Sequence, residues 1–204
     1  MNSYLKENFP DLKIQKPLFY CWPIGLRFEI GPDEMELCEE YFNTALERAT
    51  SIFQSMFTED DDIAIIYQKY SDGRKKIRKK DLIYKQITIE NSVQMHSSDI
   101  RDIYELDYRS ECWKRLVISG LSLKDIDYKN ILLSLVNADF VSRIPSMQGE
   151  CYFVNRTKHI ILNLYDDRGM DVISRSKESL FTLYKSRRDW LLKYDRKKMD
   201  SVFS

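Results

Sequence analysis

Residues 162–174 read LNLYDDRGMDVIS. Asp166, Asp167 and Asp171 crowd around Arg168 and Gly169, with apolar residues on both sides. Such a group of carboxylates is the raw material of an acid–base site and, equally, of a hairpin tip. A two-residue hairpin turn needs positive φ at both central residues, which Asp-Arg supplies poorly. A type I turn over Asp166–Gly169, with the glycine left-handed and bulged, fits better. In that register Asp166 faces Met170, Tyr165 faces Asp171 and Leu164 faces Val172. Asp166 then shares a side with Leu162, Leu164, Met170 and Val172, and Asp171 points the other way with Tyr165 and Ile173. A paired-acid mechanism needs both carboxylates in one cleft, and here the sheet separates them. The stretch therefore reads as a hairpin whose Asp166 accepts a hydrogen bond from its own turn. Arg168 at the tip pairs with Asp171 or reaches solvent.

Working outward, ECYFVN, HIILNLYD and MDVISR, with RTK and DRG between them, predict a C-terminal β-meander. The segment from Ser176 to Phe203 then predicts helix, with Ser176 and Ser179 near its start and Leu180, Leu183, Tyr184, Trp190, Leu191 and Tyr194 on its apolar side. Towards the N-terminus, IGLRFEIG (Ile24–Gly31) alternates: Ile24, Leu26, Phe28 and Ile30 share one face, Gly25, Arg27 and Glu29 the other. Arg27 and Glu29 read as cross-strand ion-pair formers. A helix of about 22 residues starting at Pro32-Asp33 follows. Its buried stripe is Cys38, Phe42, Ala45, Ala49, Ile52, Phe53 and Met56, and its polar stripe Glu36, Glu40, Asn43 and Glu47. IAIIYQKY (Ile63–Tyr70) is a buried strand and completes a βαβ-like unit. Ser71–Gly73 is a turn, RKKIRKKDLIYKQI a short basic helix or a loop leading into one, QITIE and CWKRLVISGL strands, and DIDYKNILLSLVNADF a helix with Ile131, Leu132, Leu135 and Val136 inward. The sum is an α+β fold, a mostly antiparallel sheet with a long N-terminal helix and a C-terminal meander followed by a helix.

A chain of 204 residues is most simply one domain over residues 1–204, with 1–115 and 116–204 as subregions. It can bury roughly 70% of its unfolded surface and needs no disulfide or metal to hold together. Lys+Arg and Asp+Glu are both 32, so there is no basic excess of the kind a dedicated nucleic-acid binder carries. The distribution is uneven: Glu29–Asp62 holds eleven acids and Arg48, and Gln68–Lys85 eight bases and two acids. A dipolar surface of this kind steers a charged partner to one side. Cys21, Cys38, Cys112 and Cys151 show no C-x-x-C spacing and His96 and His159 lie far apart, so no zinc signature is present. No cofactor is called for. The N-terminus has no signal-like apolar run and no stretch is long enough to span a membrane. The cysteines then read as reduced, mostly buried thiols of a cytoplasmic protein.

Three stretches together resemble an uncharacterised bacterial family, domain-of-unknown-function family 3885: PLFYCWPIGLRFEIG, NADFVSRIPSMQGECYFVN, and LYDDRGMDVI with WLLKYDR. The family brings no catalytic residues to carry over. The resemblance implies, by analogy with small immunity proteins that accompany secreted toxins, a binding partner and no reaction. The expectation is an immunity protein blocking a cognate toxin, with Glu36, Glu40, Glu47, Asp60, Asp61, Asp62, Asp167 and Arg168 as partner-binding residues and no catalytic or metal-ligating ones. Two alternatives stand beside it. One is a hydrolase of phosphate-containing substrates using Asp166, Asp167 and Asp171. The other is an RNA-associated protein using the basic segment 74–85, with Tyr67, Tyr70 and Tyr84 as stacking aromatics.

Overall fold

The 162–174 stretch is a hairpin, but not in the expected register. Leu164 pairs with Met170, Asn163 with Asp171 and Leu162 with Val172, which leaves Tyr165–Arg168 as the loop. The shift is two residues, so every side chain keeps the face assigned to it. Gly169 is not left-handed; among the described residues Gly120 and Gly149 are the glycines with positive φ. What demands glycine at 169 is space, since a Cβ there would sit 2.4 Å from Cε2 of Tyr165.

The computed structural model describes residues 1–71, 74, 76–90, 92–104 and 112–204. The elements run α1 (Asn2–Asn8), β1 (Gly25–Glu29), α2 (Glu39–Met56), β2 (Ile63–Tyr70), α3 (Leu82–Lys85), β3 (Gln94–Ile100), β4 (Trp113–Leu121), α4 (Tyr128–Val136), β5 (Glu150–Asn155), β6 (Ile160–Leu164), β7 (Gly169–Ser174), α5 (Glu178–Ser186) and α6 (Arg196–Phe203). The strands form one seven-stranded sheet in the order β1-β7-β6-β5-β2-β4-β3, every neighbouring pair antiparallel. The fold is α+β. β1 and β2 run parallel, yet β7, β6 and β5 lie between them. The expected βαβ-like unit is thus a wide crossover, and α2 spans the breadth of the meander.

One face of the sheet, with Leu26, Phe28, Ile65, Tyr67, Leu116, Phe153, Leu162 and Met170, packs under α2, α4, α5 and α6. The other, with Ala64, Ile66, Tyr152, Val154, Ile161 and Ile173, is covered by Phe9, Ile14 and Leu18 of the N-terminal segment. Burial on both faces explains the unbroken apolar runs Ile63–Tyr67 of β2 and Cys151–Val154 of β5. The N-terminal cover had no sequence signal, because its apolar residues follow neither a helical nor a strand period.

Several boundaries move for physical reasons. α2 begins at Glu39, not Pro32; residues 32–38 are a loop held by turn hydrogen bonds from Met35 N to Pro32 O and from Cys38 N to Glu36 O. Cys38 is accordingly exposed and Cys21 half-buried, so only Cys112 and Cys151 are buried thiols. QITIE is not a strand and contributes a lone bridge from Ile87 to Ile126. The strand of this region is β3, an edge strand with little apolar content. The C-terminal segment is two helices: between them Leu191 bridges to Phe28 and Leu192 N donates to Arg27 O, which caps the β1 edge. Tyr194, expected on the apolar side, is exposed. The Ser71–Gly73 turn and Lys75 fall largely outside the described residues.

Candidate functional site

The loop Tyr165–Arg168 is stitched down on all sides. Asp166 Oδ1 accepts from Arg168 N at 2.9 Å, the expected local turn bond. The Arg168 guanidinium returns to Asp166 and reaches Asp139 Oδ2 at 3.2 Å, not Asp171. Asp167 is buried, and its Oδ2 accepts from Tyr41 Oη at 2.7 Å. Burial pushes the Asp167 carboxyl up from its ordinary value and the Tyr41 phenol up as well. Ile30 N donates to Arg168 O and Gly31 N to Asp167 O. A Cβ on Gly31 would collide with the Tyr41 hydroxyl at 2.1 Å, so glycine there lets the phenol reach the turn.

Asp171 lies across the sheet and is fully buried. It pairs in register with Arg27; Arg27 Nε approaches its Oδ1 at 3.6 Å, and Phe19 N donates to Oδ2 at 2.8 Å. Tyr165 Oη donates to the same carboxylate. Arg27 also binds Asp195 at 2.9 Å and stacks between the rings of Tyr20 and Tyr165. Burial pushes the Asp171 carboxyl up to about 6. Arg27 is therefore a cross-strand ion-pair former as expected, and it also ties the N-terminal cover and the C-terminal segment to the sheet.

The three carboxylates of the hairpin do not converge. Each is committed to different partners: Asp166 to Arg168, Asp167 to Tyr41, and Asp171 to Phe19 N and Tyr165. Among the described residues no three His, Cys, Asp or Glu side chains are grouped to hold a metal ion, and no helix is long and apolar enough to cross a membrane.

The residues expected to bind a partner fall into two places. Glu36, Glu40 and Arg168 are exposed around the start of α2, and Glu47 is exposed midway along it. Asp60, Asp61 and Asp62 lie beyond its far end, about 27 Å from its start by helix rise. Asp61 is a correction: it is buried, and its Oδ2 accepts from Thr58 N, Asn155 Nδ2 and Lys158 Nζ. Those donors hold its carboxyl below the usual range. Asp167 is the second correction, being buried under Tyr41. Asp62 is exposed but paired to Arg156 at 2.8 Å. Of the basic segment's aromatics, Tyr67 is buried in the core and cannot stack on a nucleotide; Tyr70 is exposed. Ile77 and Ile83 anchor the segment, and Lys69 pairs with Asp81 at 2.9 Å.

One surface was not legible in the sequence. Pro32, Asp33, Met35 and Leu37 of the loop before α2 line a hollow of about 330 Å³ with Asp139, Phe140 and the hairpin tip. Arg143 clamps the 138–146 loop there: Nη1 and Nη2 bind Glu39 at 2.6 and 3.0 Å, and its guanidinium lies 3.8 Å over the Phe42 ring. Flanking these contacts, Leu37, Val141 and Ile144 are 65%, 103% and 86% exposed. The only sequence signal was apolar residues standing in loops with no periodic partners.

A protein of Bacillus subtilis (strain 168), the uncharacterized protein YnaE, is 26% identical over 207 residues, covering 94% of this chain and 97% of that protein. No solved structure matches the chain. Residues 1–195 match the family described as Domain of unknown function (DUF3885), and the chain belongs to that family.

Proposed function

We propose that this is a cytoplasmic protein-binding protein, an immunity protein that neutralises a cognate toxin by docking the surface at the start of α2. The observation that carries the reading is the trio of exposed apolar side chains, Leu37, Val141 and Ile144, on two loops clamped together by Arg143 and Glu39. Apolar groups held rigidly in solvent gain free energy only when something covers them, and a polar rim around them is the anatomy of a docking surface. The rim is acidic. Glu36 and Glu40 are exposed, whereas the arginines of the region are already taken, Arg143 by Glu39 and Arg168 by Asp166 and Asp139. Such a rim favours a basic partner, and charge of this kind acts mainly on the encounter rate. Glu47 and Asp60–Asp62 lie apart from this surface and contribute little to it.

The test is a titration against the basic product of a neighbouring gene, at low and moderate salt. Wild type should associate more slowly as salt rises. The double variant Glu36→Lys/Glu40→Lys should slow association roughly tenfold, and Leu37→Ser/Val141→Ser/Ile144→Ser should raise Kd at least about tenfold, both with native melting. Equal affinities across these proteins would remove the surface from consideration. Absence of binding by wild type, together with phosphoester hydrolysis lost in Asp166→Asn, would replace the reading with the hydrolase one.

A further inference from the structure

The two edges of the sheet are finished differently. At β1 the C-terminal segment closes the edge, with Leu191 bridged to Phe28 and Leu192 N donating to Arg27 O. At the other end stands β3, paired with β4 alone. It runs in unbroken register, from Gln94 opposite Ser119 to Ile100 opposite Trp113, with no bulge to twist its outer side away. Among the described residues, no backbone group of Gln94–Ile100 is hydrogen-bonded to a segment other than β4. The strand QMHSSDI contains no lysine, arginine or proline, the residues that ordinarily blunt an open edge. Alternate residues of such a strand direct their N–H and C=O away from the sheet, a template for one more strand.

The strand is its own complement. Antiparallel pairing about Ser97 sets Ser97 of one copy against Ser97 of the next, His96 against Ser98, Met95 against Asp99 and Gln94 against Ile100. Asp99 is the sole carboxylate of the strand and meets a methionine, so no like charges face each other. The Ser97–Ser97 and His96–Ser98 pairs match donor to acceptor. Parallel pairing in register would bring Asp99 beside Asp99, which charge disfavours; the antiparallel pair also closes under two-fold symmetry. Shape agrees with charge. His96 lies opposite Val117, which belongs to the face covered by the N-terminal segment. Gln94, His96, Ser98 and Ile100 therefore share that face. A hollow of about 690 Å³ opens there, lined in part by Met1, Gln94, His96, Val117 and Ser119. Pairing about Ser97 places Ile100 of the second copy opposite Gln94, at this hollow. On the other face Met95, 37% exposed, gains a neighbouring strand.

We propose that two copies of this chain join β3 to β3 across a two-fold axis at Ser97, continuing the sheet from one subunit into the next. The interface uses none of the residues assigned to the docking surface at the start of α2, and it does not depend on what that surface binds.

The experiment is sedimentation equilibrium of the intact protein from micromolar to millimolar concentration, with hydrogen exchange read at the β3 amides. Expected is a reversible monomer–dimer equilibrium in which the outward amides of Gln94–Ile100 become protected as dimer forms. Position 95 tests the register, because its side chain is exposed enough to change without disturbing the core. Met95→Asp sets a carboxylate against Asp99 of the other copy, twice per dimer, and should raise the dimer dissociation constant at least about tenfold. Met95→Lys sets an ammonium there and should leave the constant unchanged or lower it. In a Cys38→Ser background, which removes the exposed thiol, Ser97→Cys should form an intersubunit disulfide under mild oxidation, since directly opposed strand residues lie within disulfide reach. A chain that stays monomeric at millimolar concentration overturns the proposal, as does a dimer that responds alike to Met95→Asp and Met95→Lys. Protection of the β3 amides only when the basic product of a neighbouring gene is added would assign the edge to that protein and overturn it too.

Discussion

Gly169→Ala is the substitution that most directly tests how the hairpin is built. A Cβ at 169 would lie 2.4 Å from Tyr165 Cε2 and 3.1 Å from Cδ2. Ordinary contact needs about 3.4 Å or more, so the ring must retreat by roughly 1 Å. It is not free to do so. Tyr165 N donates to Gly169 O at 3.0 Å, its hydroxyl holds Asp171, and Arg27 Nε donates to that hydroxyl at 3.1 Å. Overpacking of this kind costs about 1–3 kcal/mol, and loosening the hydroxyl from a buried carboxylate adds about 1 kcal/mol more. The expected destabilisation is about 2–4 kcal/mol, read as a fall in the urea midpoint with unchanged m. The decisive measurement is the cycle with Tyr165→Ala. If the ring is the obstacle, Gly169→Ala in that background should cost under about 0.5 kcal/mol, a coupling of about 2 kcal/mol. A cost that is the same with and without the ring would mean the glycine is required by its backbone conformation, and the close-approach reasoning would fail.

Three further outcomes are expected. Asp171, with its carboxyl pushed up to about 6 by burial against about 3.9 unfolded, binds its proton more tightly in the folded state. Its stabilising contribution is therefore present at low pH and lost as pH rises through 6. Stability should fall by about 1 kcal/mol between pH 5 and 7.5 on this account, visible as a drop in Tm of roughly 2–4 °C, and Asp171→Asn should flatten that slope; a slope unchanged in the variant would show that another group sets it. Below pH 5 the depressed carboxyls of Asp61 and Asp125 act in the opposite sense. Asp61→Ala should cost about 2–4 kcal/mol because Asn155 and the Thr58 backbone lose a buried acceptor, whereas Asp60→Ala should fall within about 0.5 kcal/mol in the same denaturation assay; similar costs at the two positions would contradict the assignment of Asp61 to structure. Joint replacement of Lys76, Lys79 and Lys80 by glutamine should leave the fold intact, while Asp81→Ala, which removes the cap on Ile83 N and the partner of Lys69, should cost about 1 kcal/mol.

Legibility in the sequence followed the periodicity of burial. β2 and β5 were read residue for residue because both faces are covered, with every side chain of β5 and Ile63–Gln68 of β2 buried. The Leu26–Phe28 alternation and the Phe42–Met56 stripe were read because one face of each meets the core. β3 was missed since an edge strand with exposed Gln94, Met95 and His96 has no burial to imprint a pattern. Residues 1–22 were missed for the converse reason: Phe9, Ile14 and Leu18 are buried, but each fills a separate gap over the second face, so their spacing obeys the sheet beneath and not their own backbone. The candidate sites suffered the same limit more sharply. Net acidity around α2 was visible, yet it assigned Asp61 and Asp167 to a partner because charge alone does not reveal that Lys158 and Tyr41 already hold them. Glu150 and Trp113 carried no local motif at all. Their partners are set by sheet register, β2 aligning with β5 on one side and β4 on the other, which places Gln68 opposite Glu150 and Tyr70 opposite Trp113. Contacts assembled by sheet register from separate segments leave no spacing to be read along the chain, and they become visible only when donors and acceptors are counted in space.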